Sequence, residues 1–503
     1  MLVLSKEVDS CVAWPYLIRN KTEVINHLTY LLGIPADELK DKLSSSRFFV
    51  WLKRKIAPSI ATKIKVLHLP GVGLVKESKR FYPEGDLLWH VLGQVNLDNY
   101  GLSGIELAYD DLIRGEPVQE LKERDGRGQK IANRVTVADE EGKPKNIVLT
   151  IDKVIQHIAE RELFKTYSAT LARKAILIVQ EVSTGEILAW VCYPTSSEEE
   201  WKRTPELLNN PGISDTFEPG STFKVIPACF ALEENLTTSE EKYFCENGLF
   251  KLYGIKIRDH EKRGILTFKQ VLAYSSNIGM AKLGLRMNKE KFYQFISNFG
   301  FGCVTGLGLA GESPGLLLLN QHQLTLPILC YGQGIGVTAI QLLNAYSAIA
   351  NQGMLMEPQI VKEIRTRDGK VLRRYTPVPI RRVISERTVS TTTEILEDAV
   401  EWGTGIKAKI KGYRVAGKTG TAQKFDPLTK KYSDTKHIAS FCGFFPLPQP
   451  RIAILIVIDE PQTQDYWGGS LAAPVFARVA EQVIQYLHIP PAEEKYAQIK
   501  GTP

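Results

Sequence analysis

The sequence predicts an α+β fold in which an antiparallel sheet carries helices on its faces. Two strand-like runs enclose the turn at 183–186, and two more apolar runs lie near the C-terminus, at 436–446 and 451–461. The segments at 153–167 and 473–487 have the apolar periodicity of amphipathic helices. Strands flanked by helices of this kind favour a sheet that is covered by helices.

The chain of 503 residues is too long for one ordinary hydrophobic core, which predicts two domains. Its first part has short helical stretches at 21–32 and 36–45 and loop-rich segments such as 69–78. The polar run ADEEGKPKN at 138–146 is interpreted as a linker. The sequence therefore predicts an N-terminal domain at 1–145, a second domain at 146–490 and a disordered tail at 491–503.

The composition argues against nucleic-acid binding. The formal net charge is +7, and the basic residues are scattered among acids instead of being clustered with aromatic residues. A mildly basic surface also suits a polyanionic substrate or an anionic membrane face. The longest purely apolar run, Ile452–Ile458, has seven residues, whereas a membrane span needs about 20. We expect a soluble chain, either cytosolic or with its export segment removed.

Cysteine and histidine are arranged for neither metal binding nor disulfide formation. The seven cysteines form no C-x-x-C pair, and the eight histidines include no H-E-x-x-H spacing. We therefore predict no metal site and no cofactor. The cysteines are interpreted as small buried hydrophobic residues.

The segment Phe217–Phe230 reads FEPGSTFKVIPACF and carries a candidate nucleophile. Pro219 and Gly220 end the preceding segment, so Ser221 can begin a helix with its hydroxyl exposed and free N–H groups beside it. Lys224 follows three residues later, a spacing that places two side chains on one helix face. A desolvated lysine near another cation has a lowered pKa and can take a proton from serine. This spacing predicts Ser–Lys acyl-transfer chemistry.

The S-x-x-K pattern alone is a weak signal, since it also occurs at Ser239–Lys242 and Ser433–Lys436. Both of those segments are polar, lack a preceding proline–glycine pair and are interpreted as surface. For Ser221, an ordinary helix start stays open as well. Pro227 lies six residues beyond Ser221, where it would remove a helix hydrogen bond, and we expect a kink there.

A second candidate element lies in the segment 264–284. A capping box from Thr267 to Gln270 starts an apolar-periodic helix that runs into Ser275 and Asn277. These two side chains are two residues apart on a short turn and point the same way, so they can relay a proton and bind a substrate amide. They can also cap a helix end, and the pattern alone leaves both interpretations open.

The third element is Tyr413–Lys424, YRVAGKTGTAQK, which reads as a strand. The missing side chain of Gly420 would let another backbone approach, so that a peptide substrate could add alongside. Lys418 would bring positive charge, and Thr419 and Thr421 share one side of the strand. This set suits a terminal carboxylate, although a lone Lys-Thr-Gly is a turn in most proteins.

Together, in the order S-x-x-K, S-x-N and K-T-G, the three elements resemble the motif set of the penicillin-binding proteins and serine β-lactamases. Nearly the whole chain is similar to a class B penicillin-binding protein. LPGVGLVKESKRFYPEGD and GLSGIELAYDDLIRG resemble the non-catalytic pedestal of these enzymes, and YGQGIGVTAIQLLNAYSAIAN and YWGGSLAAPVF resemble their transpeptidase domain. The short link between HVLGQVNLDN and GLSGIE is similar to the cell-division branch. The resemblance implies a β-lactamase-like transpeptidase domain, with its antiparallel sheet between helical layers, beside a pedestal domain.

The same resemblance implies roles for the first two motifs. Ser221 would attack the penultimate D-alanine carbonyl of a peptidoglycan stem peptide and expel the terminal D-alanine, with Lys224 as general base. Ser275 would pass the proton to the leaving amine, and Asn277 would hold Lys224 and the substrate amide. An amine from a neighbouring stem would then resolve the acyl-enzyme, and the product would be a cross-link.

The third motif would bind the carboxylate of the donor peptide or of a β-lactam. The residues implied in this binding are Lys418, Thr419, Gly420 and Thr421. The oxyanion hole would consist of the backbone N–H groups of Ser221 and Thr421. Gln423 is included in the substrate-binding set and stands where some relatives carry a basic residue.

The family carries a cytoplasmic tail, a membrane span and an arginine–glycine motif before the segment that here begins LVLSKEVDS. None of the three is in this sequence, so we expect a truncated or internally started chain. The resemblance places the protein in the bacterial cell envelope, on the periplasmic face of the inner membrane, anchored by the missing span. It implies stem peptides, β-lactams, a glycosyltransferase and divisome proteins as partners, and a septal role.

Several alternatives stay open from the sequence. An elongation-type transpeptidase would catalyse the same reaction during cell elongation instead of septal wall synthesis. A D,D-carboxypeptidase would use water as the acceptor. A β-lactamase needs a base for its deacylating water, yet the acidic segment around Glu206 lies before Ser221 and not after Asn277. A β-lactam sensor or an idle division scaffold is opposed by the intact Ser221, Lys224 and Lys418.

Overall fold

The chain forms two compact units, one of Met1–Asp86 with Val95–Tyr100 and one of Leu87–Gln94 with Gly101–Pro503. The computed structural model describes residues 1–116, 119–124, 130–136, 142–317, 322–426 and 429–491. Part of the predicted linker, at 138–141, and nearly all of the predicted tail, at 492–503, lie outside the described residues. The domain boundary at residue 145 stays a prediction.

The first unit is a three-stranded antiparallel sheet with helices packed against it. Its elements are β1 Leu4–Ala13, α1 Lys21–Leu32, α2 Ala36–Ser44, β2 Val50–Lys53, α3 Pro58–Val66 and β3 Val72–Phe81. The sheet order is β2-β1-β3. The side chain of Asn20 caps α1, and Val24, Leu28 and Leu32 recur on its buried face. The two helices that the sequence predicts here are confirmed.

Strand β3 corrects the interpretation of residues 69–78 as loop-rich. The strand pairs with β1 along the whole length of both. Gly73 lies inside it because a side chain at this position would collide with the ring of Trp14. This glycine therefore marks a close packing contact and not a turn.

The second unit contains the other helices and strands. Its helices are α4 Trp89–Leu92, α5 Gly104–Ala108, α6 Asp110–Arg114, α7 Lys153–Thr170, α8 Glu198–Arg203, α9 Pro211–Ser214, α10 Val225–Glu233, α11 Phe268–Ala273, α12 Asn277–Gly284, α13 Lys289–Asn298, α14 Thr325–Leu329, α15 Ala339–Ala350, α16 Glu386–Glu401 and α17 Gly468–Tyr486. Its strands are β4 Gln119–Arg124, β5 Lys130–Thr136, β6 Asn146–Leu149, β7 Lys174–Glu181, β8 Ile187–Tyr193, β9 Lys242–Phe244, β10 Leu249–Leu252, β11 Ile255–Arg258, β12 Ile265–Thr267, β13 Leu316–Leu317, β14 Ile335–Gly336, β15 Met354–Met356, β16 Val361–Arg365, β17 Val371–Arg374, β18 Pro379–Arg382, β19 Ala416–Asp426, β20 Lys431–Phe445 and β21 Ile452–Asp459. Among the described parts of the chain, no helix combines the length and the apolar character that crossing a membrane requires.

The core of the second unit is a five-stranded antiparallel sheet in the order β19-β20-β21-β7-β8. The middle strand β21 reads IAILIVID and is buried along nearly its whole length. One face of the sheet packs against α7 and α17, and α15 contacts it as well. A strand buried on both faces reads as a continuous apolar run and not as an alternating one. The α+β prediction, including the strands on either side of the turn at 183–186, is confirmed.

A charged cluster around Glu162 joins α7 to α17. The Glu162 carboxylate is buried and accepts hydrogen bonds from Lys165, Arg478 and Gln482. Burial raises the pKa of this carboxyl, but the hydrogen bonds outweigh burial and lower the pKa to about 2. A negative charge is therefore retained between the two helices.

The cysteines follow the prediction with one exception. All seven are free, and six of them are buried. Cys303 is exposed, so the prediction is wrong for this residue. It lies in the connection after α13, where its carbonyl accepts a hydrogen bond from Gln341 and its side chain reaches the surface.

Candidate active site

The candidate nucleophile Ser221 lies in a 3₁₀ turn, Gly220–Thr222, just before α10. Gly220 has a φ of +53°, which favours glycine, and its N–H donates to Gly332 O over 3.1 Å. The buried Tyr346 donates its hydroxyl to Thr222 O over 2.7 Å. Two contacts from outside the turn therefore fix the backbone on both sides of Ser221.

The α-helix after the nucleophile begins later than the sequence suggested. Because α10 starts at Val225, Pro227 lies in its first turn, where an N–H group would have no partner within the helix. The expected kink at Pro227 is therefore wrong. The change from 3₁₀ to α geometry lies instead between Thr222 and Val225.

Lys224 is fully buried and joins the first motif to the second. Its Nζ donates to Ser275 O over 2.6 Å, to Ser275 Oγ over 3.0 Å and to Asn277 Oδ1 over 2.8 Å. Burial lowers the pKa of the Lys224 amine to about 7, against the opposite effect of the Asp259 charge. A neutral fraction is therefore present near neutral pH, and this is the form that can accept a proton from a hydroxyl.

The consecutive residues Ser275, Ser276 and Asn277 make three different contacts. Ser275 has a φ of +62° and contacts Lys224 through both its carbonyl and its hydroxyl. Ser276 caps α12 by accepting from Gly279 N over 3.0 Å. The Asn277 amide is held at both ends, since Nδ2 donates to Arg258 O over 2.9 Å while Oδ1 accepts from the lysine. Helix capping and contact with the lysine therefore both occur, on different residues.

Asp259 positions this second motif and was not among the residues predicted. Its carboxylate accepts from Asn277 N over 2.6 Å, from Ile278 N over 3.0 Å and from Ser276 Oγ over 2.5 Å. These amides begin α12, so the carboxylate also meets the positive end of the helix dipole. No local pattern marks this residue, which lies 18 positions before Asn277.

The third motif lies on β19, one of the two edge strands of the five-stranded sheet, and Lys418 is fully buried there. Its Nζ donates to Thr419 O over 3.1 Å and to Thr404 Oγ1 over 3.5 Å. Burial and the positive charge of Lys224 hold the pKa of Lys418 well below its ordinary range. Thr404 Oγ1 also lies 2.7 Å from Thr419 Oγ1, so Thr404 is a second site residue that sequence reasoning missed.

Gly420 is packed against the chain itself, which corrects the reason predicted for this glycine. A side chain here would collide with Ser440 Oγ and would crowd Thr222 and Pro219. The close approach on this side is therefore made by the turn that carries Ser221. That a peptide adds beside β19 stays a prediction.

Thr421 and Gln423 lie further along β19. Thr421 Oγ1 accepts from Gly468 N over 3.1 Å, at the first residue of α17, so its hydroxyl proton remains to be donated. Gln423 is half-buried and lies opposite His437 on β20. Gly468 is also a residue that sequence reasoning missed, and a side chain there would collide with the carbonyl of Gly420.

The three motifs meet at one place in the second unit. Lys224 contacts the S-x-N residues directly, and a side chain on Gly220 would stand 3.3 Å from Thr421 O. Within the described residues, the hydroxyl of Ser221 has no hydrogen-bonding partner of its own. This arrangement suits nucleophilic attack on a carbonyl that lies near an anionic group. The free hydroxyl of Ser221 would attack, the partly neutral amine of Lys224 would accept its proton, and the amine of Lys418 would lie near the anionic group.

Comparison with protein families matches both parts of the chain. Residues 175–481 match the penicillin binding protein transpeptidase domain, and residues 1–149 match the penicillin-binding protein dimerisation domain. The second match covers the whole of the part, 1–145, that the sequence analysis assigned to a pedestal.

Individual relatives match the chain over most of its length. It is 34% identical over 470 residues to the peptidoglycan D,D-transpeptidase FtsI of Escherichia coli K12, a match that covers 92% of this chain and 77% of the relative. It is 33% identical over 512 residues to stage V sporulation protein D of Bacillus subtilis strain 168, covering 98% and 78%. The crystal structure of penicillin binding protein 3 from Mycobacterium tuberculosis, complexed with aztreonam, superposes with a TM-score of 0.72 at 30% identity, covering 83% of this chain and 92% of that one. The chain therefore belongs to the class B penicillin-binding proteins.

Proposed function

We propose that this protein is a peptidoglycan D,D-transpeptidase that forms cross-links through an acyl-enzyme on Ser221. The observation that carries the proposal is the buried Lys224, whose amine has a pKa of about 7 and bonds to both Ser275 and Asn277. Relatives named D,D-transpeptidases and a transpeptidase family model support the same reaction.

Acylation begins when Ser221 Oγ attacks the carbonyl carbon of the penultimate D-alanine. The neutral Lys224 Nζ takes the hydroxyl proton as the new C–O bond forms. Ser275 Oγ lies 3.0 Å from this amine and returns a proton to the leaving D-alanine nitrogen as the C–N bond breaks. Asn277 holds the amine and has one Nδ2 proton left for a substrate carbonyl.

The backbone N–H groups of Ser221 and Thr421 are the proposed oxyanion hole, because the packing of the 3₁₀ turn on β19 brings the two backbones together. The terminal carboxylate of the donor accepts hydrogen bonds from Thr419 and Thr421, and Lys418 supplies positive charge. Deacylation follows when an acceptor amine attacks the ester carbonyl, which forms the new amide and returns the proton to Ser221.

The third motif also accounts for proposed binding of β-lactams, because these compounds carry a ring carbonyl next to an anionic group. The similarity to a protein solved with aztreonam supports this proposal. Gln423, two residues beyond Thr421, is proposed as part of the same surface.

The cellular setting is proposed on the resemblance to the cell-division branch. We place the protein in the bacterial cell envelope, on the periplasmic face of the inner membrane, where it acts in septal wall synthesis. A glycosyltransferase and division proteins are its proposed partners.

The proposed nucleophile is tested by the mass of the intact protein after incubation with benzylpenicillin. We expect the wild type to gain one penicilloyl group and Ser221→Ala to gain none. Consumption of penicillin without an accumulating adduct would favour a β-lactamase. If neither occurs, Ser221 is not an acylating residue. Stem peptides with and without an added amine then distinguish a transpeptidase from a carboxypeptidase.

A further inference from the structure

A buried carboxylate oxygen without a partner lies close to the nucleophile in the chain. Glu218 is three residues before Ser221. Its Oε1 accepts from Gly334 N over 2.8 Å and from the Tyr432 hydroxyl over 3.0 Å. Its Oε2 is buried and has no hydrogen-bonding partner among the described residues. A buried acceptor of this kind lowers stability unless a donor reaches it.

No cation of the described chain neutralises this carboxylate. Glu218 forms no ion pair with any described lysine or arginine, and its two donors are an amide and a phenol. Burial raises the pKa of the Glu218 carboxyl, while Gly334 and Tyr432 act in the opposite direction. Burial and the nearby Glu218 charge also raise the pKa of Tyr331 to about 12. Among the described residues, no cation therefore offsets the charge of Glu218 by an ion pair.

Two other acids of the second unit, Glu460 and Glu162, are buried and paired with cations. Glu460 accepts from Lys424 over 2.7 Å and from Arg173 over 3.0 Å. Glu162 is bonded to Lys165 and Arg478. Glu218 differs from these two acids because one of its oxygens, Oε2, is buried and has no donor among the described residues.

We propose that Glu218 binds a primary ammonium group of the stem peptide, which rests on the function proposed above. An ammonium group has three N–H donors, so it can satisfy Oε2 and also replace the single donor of Tyr432. Tyr432 is 36% exposed and lies on β20, where its ring can give way to the incoming group.

Two amines of the substrates have this chemistry. One is a side-chain amine of the donor stem, which stays unreacted. The other is the attacking amine of the acceptor stem. In the second case the ammonium proton passes to the Glu218 carboxylate, the nitrogen attacks the ester carbonyl, the C–O bond to Ser221 breaks, and the serine oxygen takes a proton from the attacking nitrogen.

The test uses the full chain and compares wild type with Glu218→Gln, which keeps the shape and removes the charge. The donor arm measures acylation by two acyl-dipeptidyl thioesters that carry lysine or norleucine before D-alanine. The acceptor arm measures transfer of the acyl group to glycinamide, a mainly cationic amine, and to hydroxylamine, a neutral one at pH 7. We expect the rate for Glu218→Gln to fall about tenfold in one of the two arms, and there only with the cationic reagent. This is the size of effect expected when a charge-assisted hydrogen bond is lost.

The two arms identify which amine is bound. Loss confined to the lysine thioester assigns the donor amine, and loss confined to glycinamide assigns the acceptor amine. Equal effects on the cationic and neutral reagents in both arms would overturn the inference. Benzylpenicillin acylation of the wild type and its transfer of the acyl group to hydroxylamine are the baseline, so a failure of the proposed function appears there, before any comparison with the variants.

Two control variants separate binding from support of the fold. Glu206→Gln changes an exposed glutamate just before the same region, and we expect no effect in either arm. Tyr432→Phe removes the phenol donor and leaves the carboxylate, so selectivity for the cationic reagent is expected to persist. If Tyr432→Phe reproduced the loss seen in Glu218→Gln, the carboxylate would act only by holding Tyr432, and the inference would be wrong. The thermal midpoints of all variants report on folding.

Discussion

Lys224 Nζ lies 2.8 Å from Asn277 Oδ1, although 53 positions separate the two residues in the chain. The same amine contacts Ser275, and the asparagine is fixed in turn by Arg258 and Asp259. The protonation state of one buried amine is therefore tied to the placement of a second motif. Because of this coupling, the pH dependence of acylation reports on the contacts between Lys224 and the S-x-N residues.

A carboxylate in place of the Asn277 amide is expected to move the pH profile of acylation upward. In the wild type, acylation rises with pH through about 7, because the neutral form of Lys224 is the base. Asn277→Asp places a negative charge beside the amine and raises its pKa, so the midpoint rises by about 1–2 pH units. The measurement is the second-order rate constant for benzylpenicillin between about pH 5 and pH 10, which is about two units below and above the range of about 7–8 that is usual for a catalytic lysine.

Asn288→Asp is the matched control, because Asn288 caps α13 away from the motif residues. Aspartate is an equally good cap, so this variant should keep the wild-type profile. An unchanged midpoint in Asn277→Asp would contradict the assignment of Lys224 as base.

Loss of the Asp259 charge is expected to shift the same profile in the opposite direction. The Asp259 charge raises the pKa of Lys224, so Asp259→Asn lowers it and moves the acylation midpoint below 7. The variant also weakens the first turn of α12, which should cost about 1–2 kcal/mol in the free energy of unfolding. Urea denaturation and the penicillin rate constant test the two effects separately. A shift toward higher pH would show that the charge does not act on the lysine.

An added methyl group at Gly420 is expected to damage both stability and acylation. Gly420→Ala would collide with Ser440 Oγ and press on Pro219, which precedes the nucleophile turn. We expect a loss of about 1–3 kcal/mol in the free energy of unfolding, together with slower acylation at pH 8. Gly264→Ala is a suitable control, because the nearest atom of the described residues to its added Cβ is 3.7 Å away. Normal acylation by Gly420→Ala would mean that the turn tolerates displacement.

The Glu162 cluster is expected to make the second unit sensitive to acid. The pKa of Glu162 is lowered from 4.5 to about 2 on folding, so its ionised form stabilises the native state. This contribution is fully present above pH 4.5 and is lost as the pH falls toward 2. Glu162→Gln should therefore lose on the order of 1–3 kcal/mol at pH 7, with a smaller difference from wild type at pH 3. Glu206→Gln is the exposed control, and a pH-independent loss in Glu162→Gln would point to packing instead of charge.

Local sequence patterns were sufficient to predict several of the strands and helices around the site. The strands β7, β8, β20 and β21 read as apolar runs, and the capping box at Thr267 marks the start of α11. The three motifs could be found because each combines residue types that the chemistry needs at short spacing. The family models match the same two parts of the chain.

The remaining site residues act across distances that no local pattern encodes. Asp259 and Thr404 contact the motifs from other loops, and neither has a distinctive neighbour in sequence. Gly420 and Gly73 show a second limit, since a glycine is predicted as a turn or a substrate contact when the space beside it is in fact filled by the chain itself. Only the folded arrangement distinguishes these cases.

The order of strands in the large sheet has a consequence for how the protein is made. Strand β7 pairs with β8 on one side and with β21 on the other, and β21 is the last strand among the described residues. If the hairpin of β7 and β8 forms before β21 has been synthesised, the edge of β7 that pairs with β21 is unpaired at that stage. Such an edge is open to aggregation until its partner arrives. A premature stop before β21 would leave all three motifs synthesised, but without the strand that joins β19 and β20 to β7 and β8.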